Sequence, residues 1–181
     1  MKKKILLKIA RKAIEEYVTK GKMIDIPKSI LEKFNENKGV FVSIYKNNEL
    51  RGCIGFPYPE KPLAKALVES AILATRDPRF DPLSKEELNE ISIEVSILTN
   101  PEKLNFKNYK DILNSLETFK DGVIIKKGFN SALFLPQVWN ILKEKEDFLS
   151  QLCLKAGLSP FEWINGDIEI YKFSAEILSE K

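Results

Sequence analysis

Apolar positions recur at helical spacing from the start of the chain. Ile5, Ile9, Ala13 and Tyr17, joined by Leu6, Ala10, Ile14 and Val18, predict an amphipathic helix over 5–20 that Gly21 ends. A loop with Pro27 and a short helix near 28–35 follow. The pattern then switches to β-rich "GVFVSIYK", the turn pair Asn47-Asn48 and a return strand, "ELRGCIGF". Asn tolerates positive φ, so the pair suits a two-residue hairpin turn. The register this turn implies sets Cys53 opposite Val42 and Arg51 opposite Ile44.

"PYPEKP" reads as a loop, with Pro62 in the first turn of a helix over about 62–76. Ala64, Ala71 and Ala74 give that helix a close-packing side. "RDPRFDP" breaks it, because proline removes a donor and fixes φ. Ser84 and Glu87 suggest a capping box for a one-turn helix. "ISIEVSIL" alternates, with Ile91, Ile93, Val95 and Ile97 on one face and Ser92, Glu94 and Ser96 on the other. In the second half, "YKDILNSLETF" is helical and "DGVIIKKGFNSALFLPQ" is a hairpin around Gly128. Residues 144–156 form a helix stopped by Gly157 and Pro160. "DIEIYKFSAEIL" is a terminal strand whose apolar phase switches, which suggests a β-bulge. Hairpins dominate, so the expected class is α+β with a mainly antiparallel sheet.

The 181 residues fit one domain, or one domain with two lobes. Mixed charge with a net of +3 and no basic stripe argues against nucleic acid. No apolar run reaches a membrane span and no signal-peptide core is present, so a cytoplasmic setting is expected. The chain has no histidine, which excludes a Ser-His-Asp triad, a Cys-His dyad and His-ligated metals. Its two cysteines, Cys53 and Cys153, form no zinc or iron–sulfur motif. No cofactor motif is present.

Lysine outnumbers arginine 25 to 4, and three of the four arginines, Arg51, Arg76 and Arg79, fall close together in sequence. An arginine kept in a lysine-rich chain suggests a need for the planar, five-donor guanidinium. It serves either as a clamp on a carboxylate or phosphate or as a structural ion pair. On the return strand Arg51 and Cys53 are two apart, on one face and about 7 Å from each other. A guanidinium there would favour a nucleophilic thiolate. Gly52 and Gly55 leave room for a ligand or for another backbone. The competing reading is a buried cysteine acting as a small hydrophobe. Arg76, Asp77 and Arg79 form a second cluster, either a self-satisfied ion pair or part of an anion clamp with Arg51. Without histidine, Glu94 and Asp77 are the candidate general bases. Gln137 is a further donor–acceptor at a strand end. Cys153, on an apolar helix face, reads as structural.

At "LRGCIGF" the chain resembles the AMMECR family, whose signature is "LRGCIG". "ARKAIEEYV" resembles the family's first helix, and "DPRF", "IEVSIL", "DGVII", "LFLPQV", "EDFLSQLCLKAGL" and the following Trp163 match its later blocks in order. The resemblance covers nearly the whole chain and implies a single minimal domain over 1–181, in the size range of archaeal members. Phe56–Pro57 departs from the pattern, since many members have Thr after the second glycine. The fold implied is α+β, with a barrel-like antiparallel sheet built from two similar β-rich, helix-backed units. The implied functional segment is Leu50, Arg51, Gly52, Cys53, Ile54 and Gly55. Prokaryotic genes of the family often neighbour those for Memo-like and radical-SAM proteins, which implies partners in a modification pathway.

Three classes follow. The first is an enzyme or enzyme component with Cys53, Arg51 and Glu94 catalytic and Gly52, Gly55, Arg76, Asp77, Arg79 and Gln137 binding a small anionic substrate. The second is a non-catalytic protein-interaction module using the same surface. Nucleic-acid binding is the weakest.

Overall fold

The computed structural model describes residues 2–164 and 167–180. The chain divides into two compact units, residues up to Asn100 with the chain from Glu176 onward, and Pro101–Ala175. Each combines helices with antiparallel strands, so the α+β class expected from the hairpins is what forms.

The first unit contains α1 (Lys2–Lys20), α2 (Lys28–Lys33), β1 (Val40–Lys46), β2 (Glu49–Phe56), α3 (Leu63–Ala74) and β3 (Ile91–Leu98). β1 lies between β2 and β3, antiparallel to both. Alternation along β1 and β3 sends Val40, Val42, Ile44, Ile91, Ile93 and Val95 into one core. Helices α1 and α3 cover that face with Leu6, Ala10, Ala13 and Ile14 and with Ala64, Leu67, Val68 and Ala71. The small alanines let α3 approach closely. Pro62 is the cap of α3, with extended backbone (φ −54°, ψ 138°), one residue short of the first turn where its sequence context suggested it. The Glu180 N–H near the chain end donates to Ile93 O (3.1 Å), returning the terminus to β3.

The second unit contains β4 (Glu102–Lys103), α4 (Tyr109–Ser115), β5 (Asp121–Lys127), β6 (Asn130–Phe134) and α5 (Lys145–Lys155), together with most of β7 (Glu169–Ser179). Its core holds Val123, Ile125, Phe148, Leu149, Leu152 and Trp139, whose ring stacks on Phe148 at 3.7 Å. Helix α4 is shorter than its sequence pattern and stops before a turn in which Phe119 takes positive φ (63°).

The apolar phase switch in β7 does not mark a bulge, because β7 pairs with β5 in continuous register from Glu169 to Ser174. Both faces of the strand carry apolar residues instead. Ile170 joins the core, while the Phe173 ring lies against Gly122 across the pair. Among the described residues, no helix is long and apolar enough to cross a membrane.

Candidate functional site

The site is built on the β1–β2 hairpin. Asn47 and Asn48 take positive φ (52° and 66°), and Lys46 and Tyr45 pair with Glu49 and Leu50 as a two-residue turn requires. The register then slips. Ile44 pairs with Gly52, so Arg51 is an extra residue in a β-bulge. A slip of one residue exchanges the faces of a strand. Cys53 therefore lies opposite Ser43, not Val42, and Arg51 has no partner at Ile44. The bulge turns Cys53 off the core face and puts Gly52 there, against the end of α3. A Cβ at Gly52 would sit 2.2 Å from Ala74 O, so only glycine permits this approach. At Gly55 a Cβ would meet Val40 O at 2.2 Å and Phe41 Cγ at 2.5 Å. Both glycines admit neighbouring parts of the same chain.

Re-aimed by the bulge, Arg51 reaches the loop between α3 and β3. Its Nε and Nη2 donate to the two oxygens of Glu87, each at 2.9 Å, and its Nη1 donates to Asp81 O at 2.8 Å. Both side chains are largely buried, at 17% and 15% exposure. Arg51 pulls the Glu87 carboxyl down to about 2 against the opposing effect of burial, with help from the Ser84 N–H and Lys46. Glu87 is thus the main partner of Arg51, and nothing local in the sequence pairs the two.

Asp77 and Arg79, from the same segment, bind the backbone of Cys53. The Cys53 N–H donates to Asp77 Oδ2 (2.9 Å), and Arg79 Nη2 donates weakly to Cys53 O (3.4 Å). Arg79 also donates from Nε to Asp77 Oδ1 (3.0 Å) and from Nη2 to Oδ2 (2.6 Å), while its N–H bonds Oδ1 (3.1 Å). Asp77 is buried, and burial alone would raise its pKa. The hydrogen bonds from Arg79 and Cys53 outweigh this and hold it at about 2. Arg79, its side chain 55% exposed, is pushed up from the usual guanidinium value, mainly by Asp77.

On the sheet face opposite the one that packs on α1 and α3, Cys53, Ser43 and Glu94 occupy paired positions on β2, β1 and β3. The buried Ser43 hydroxyl donates to Cys53 Sγ at 3.2 Å. Tyr45 lies two residues along the same face. Its phenol is pushed up by burial first, then by the charges of Glu94 and Cys53. Ser43 and Tyr45 escaped sequence reasoning, although their alternation with Val42 and Ile44 is the signal that could have found them.

Arg76 donates from Nη1 to Tyr17 Oη on α1 (2.9 Å). Gln137 lies in the second unit, in a 3₁₀ turn over Pro136–Asn140. An open depression of about 520 Å³ is lined by Arg51, Pro78, Arg79, Phe80 and Asp81. Cys153 is fully buried on α5, and burial pushes its thiol up. Among the described residues, no three acidic or cysteine side chains gather to hold a metal ion.

Known proteins extend these observations. The AMMECR1 family model matches residues 7–178. Protein MK0488 of Methanopyrus kandleri is 46% identical over 185 residues, covering 97% of this chain and 87% of its own. Protein MJ0810 of Methanocaldococcus jannaschii is 45% identical over 182 residues, covering 96% and 88%. The crystal structure of the uncharacterized protein PH0010 from Pyrococcus horikoshii matches with a TM-score of 0.92 and 41% identity, over 98% of this chain and 90% of that one. With a match of this extent in sequence and fold, the chain belongs to the AMMECR1 family.

Proposed function

We propose that this protein is an enzyme, or the thiol-bearing component of one, that acts on a small anionic substrate through Cys53. The observation that carries the reading is the hydrogen bond from the Ser43 hydroxyl to Cys53 Sγ (3.2 Å) on a polar, half-buried sheet face. A donor aimed at sulfur favours the thiolate, which is the nucleophilic form. Glu94 and Tyr45 supply the acid–base groups, with Tyr45 kept as a protonated phenol by its raised pKa. Arg79, beside the open depression, is the contact for the substrate's negative charge. Arg51, tied to Glu87 and Asp81 O, holds the hairpin and the loop together. Memo-like and radical-SAM proteins are the expected partners in a modification pathway, a reading supported by the family resemblance alone.

Iodoacetamide labelling of the native protein, read by peptide mapping, tests the thiol. Cys53 is expected to alkylate in the folded state and Cys153 only on unfolding. Cys53 reacting only after unfolding would overturn the enzyme reading.

A further inference from the structure

We infer that Asp77 is the positioning residue for Cys53, and that the Asp77–Arg79 couple sets the acidity of its thiol. This deepens the proposed function and rests on its reading of Cys53 as the working group.

The geometry is specific to Cys53. The N–H and C=O of this one residue are bound by the two members of one ion pair, at 2.9 Å and 3.4 Å. Asp77 is the third residue after α3, and the missing Cβ of Gly52 lets the helix end lie against β2. A Cβ there would already be 3.6 Å from that of Asp77. The Asp77 carboxylate is immobilised by Arg79 through both oxygens. The backbone of Cys53 is therefore fixed while its thiol meets Ser43.

The couple also brings one charge of each sign to the backbone of the residue that bears the thiol. Asp77 opposes thiolate formation and Arg79 favours it. The other titratable groups facing Cys53 are Tyr45 on β1 and Glu94 on β3. On its own strand stands Arg51, already compensated by Glu87. The charge of Cys53 also contributes to the raised pKa of Arg79, so the two groups feel one another.

The test is the titration of Cys53 followed by thiolate absorbance at 240 nm. It uses the full chain in a Cys153→Ala background, with the Cys53→Ser spectrum subtracted. Asp77→Asn should lower the midpoint by about half a pH unit or more. Arg79→Gln should raise it by a similar amount, about a threefold change in thiolate below the midpoint. A role in folding alone would lower thermal stability without moving the two midpoints in opposite directions. Unmoved midpoints, or shifts of the same sign, overturn the inference. If Asp77→Asn does not fold, Arg79→Gln decides, since its side chain is 55% exposed. An upward shift then supports the inference and an unmoved midpoint overturns it. Absorbance does not depend on alkylation. An inert but shifting Cys53 defeats the enzyme reading alone, and a reactive but unshifted Cys53 defeats this inference alone.

Discussion

Arg51 shows how one guanidinium couples two segments distant in sequence. Lysine in its place would keep the charge and lose the fork that meets both Glu87 oxygens while Nη1 reaches Asp81 O. Charge-assisted hydrogen bonds at a largely buried site are worth about 1.5–3 kcal/mol. Arg51→Lys is therefore expected to lower unfolding free energy by roughly that amount. In a double-mutant cycle with Glu87→Gln, most of the loss should appear as coupling, measured by denaturant unfolding. A change within about 0.5 kcal/mol would show that the pair does not hold the loop. Arg11 acts alike. It ion-pairs with Glu180 and donates to Leu88 O and Ile91 O, each at 3.1 Å, so the segment between α3 and β3 is held at two points.

The hairpin and helix α3 depend on one another through the missing side chain at Gly52. A methyl group there would be driven into Ala74 O, a backbone atom that cannot swing aside. Gly52→Ala is expected to destabilise by about 2 kcal/mol or more, read as a fall in melting temperature, because β2 and α3 must separate. The elements themselves were legible in the sequence because period-2 and period-3.6 patterns are imposed locally. The Asn47-Asn48 turn, the alternation of β3 from Ile91 to Val95 and the alanine side of α3 all appear where the pattern puts them, whereas Ser96 is buried and Ile97 only partly so. The bulge at Arg51 was not legible. Turn chemistry sets the first two pairs, whereas the slip depends on a helix end that arrives later in the chain. That single slip explains why Val42 and Ile44 were the expected neighbours and why Ser43 was missed. Glu87 was legible only as a capping residue, since 36 positions separate it from Arg51. Position 94 stood out by its alternation, but its place beside Ser43 and Cys53 follows from the order of three strands.

Acid should weaken the protein as a whole through two carboxylates of its first unit. Asp77 and Glu87 are both held at about 2 in the fold, below their ordinary values of 3.8 and 4.5. A depressed carboxyl contributes stability that is fully present above its unfolded pKa and lost as pH falls through the folded one. The contribution is about 2–3 kcal/mol each, so unfolding free energy should fall between about pH 5 and pH 2. Asp77→Asn with Glu87→Gln should flatten that dependence while lowering stability at neutral pH, as followed by circular dichroism in urea at each pH. An unchanged acid slope would mean that other groups govern it. The Asp77–Arg79 couple has a consequence beyond the thiol. β2 is an outer strand, bonded to β1 on one side, and such a strand offers its remaining peptide groups to any passing chain. At Cys53 those groups are already taken by a carboxylate and a guanidinium, an arrangement no incoming backbone can displace without stranding a buried charge. The same two side chains therefore guard the molecule against sheet-to-sheet aggregation at the middle of its signature segment.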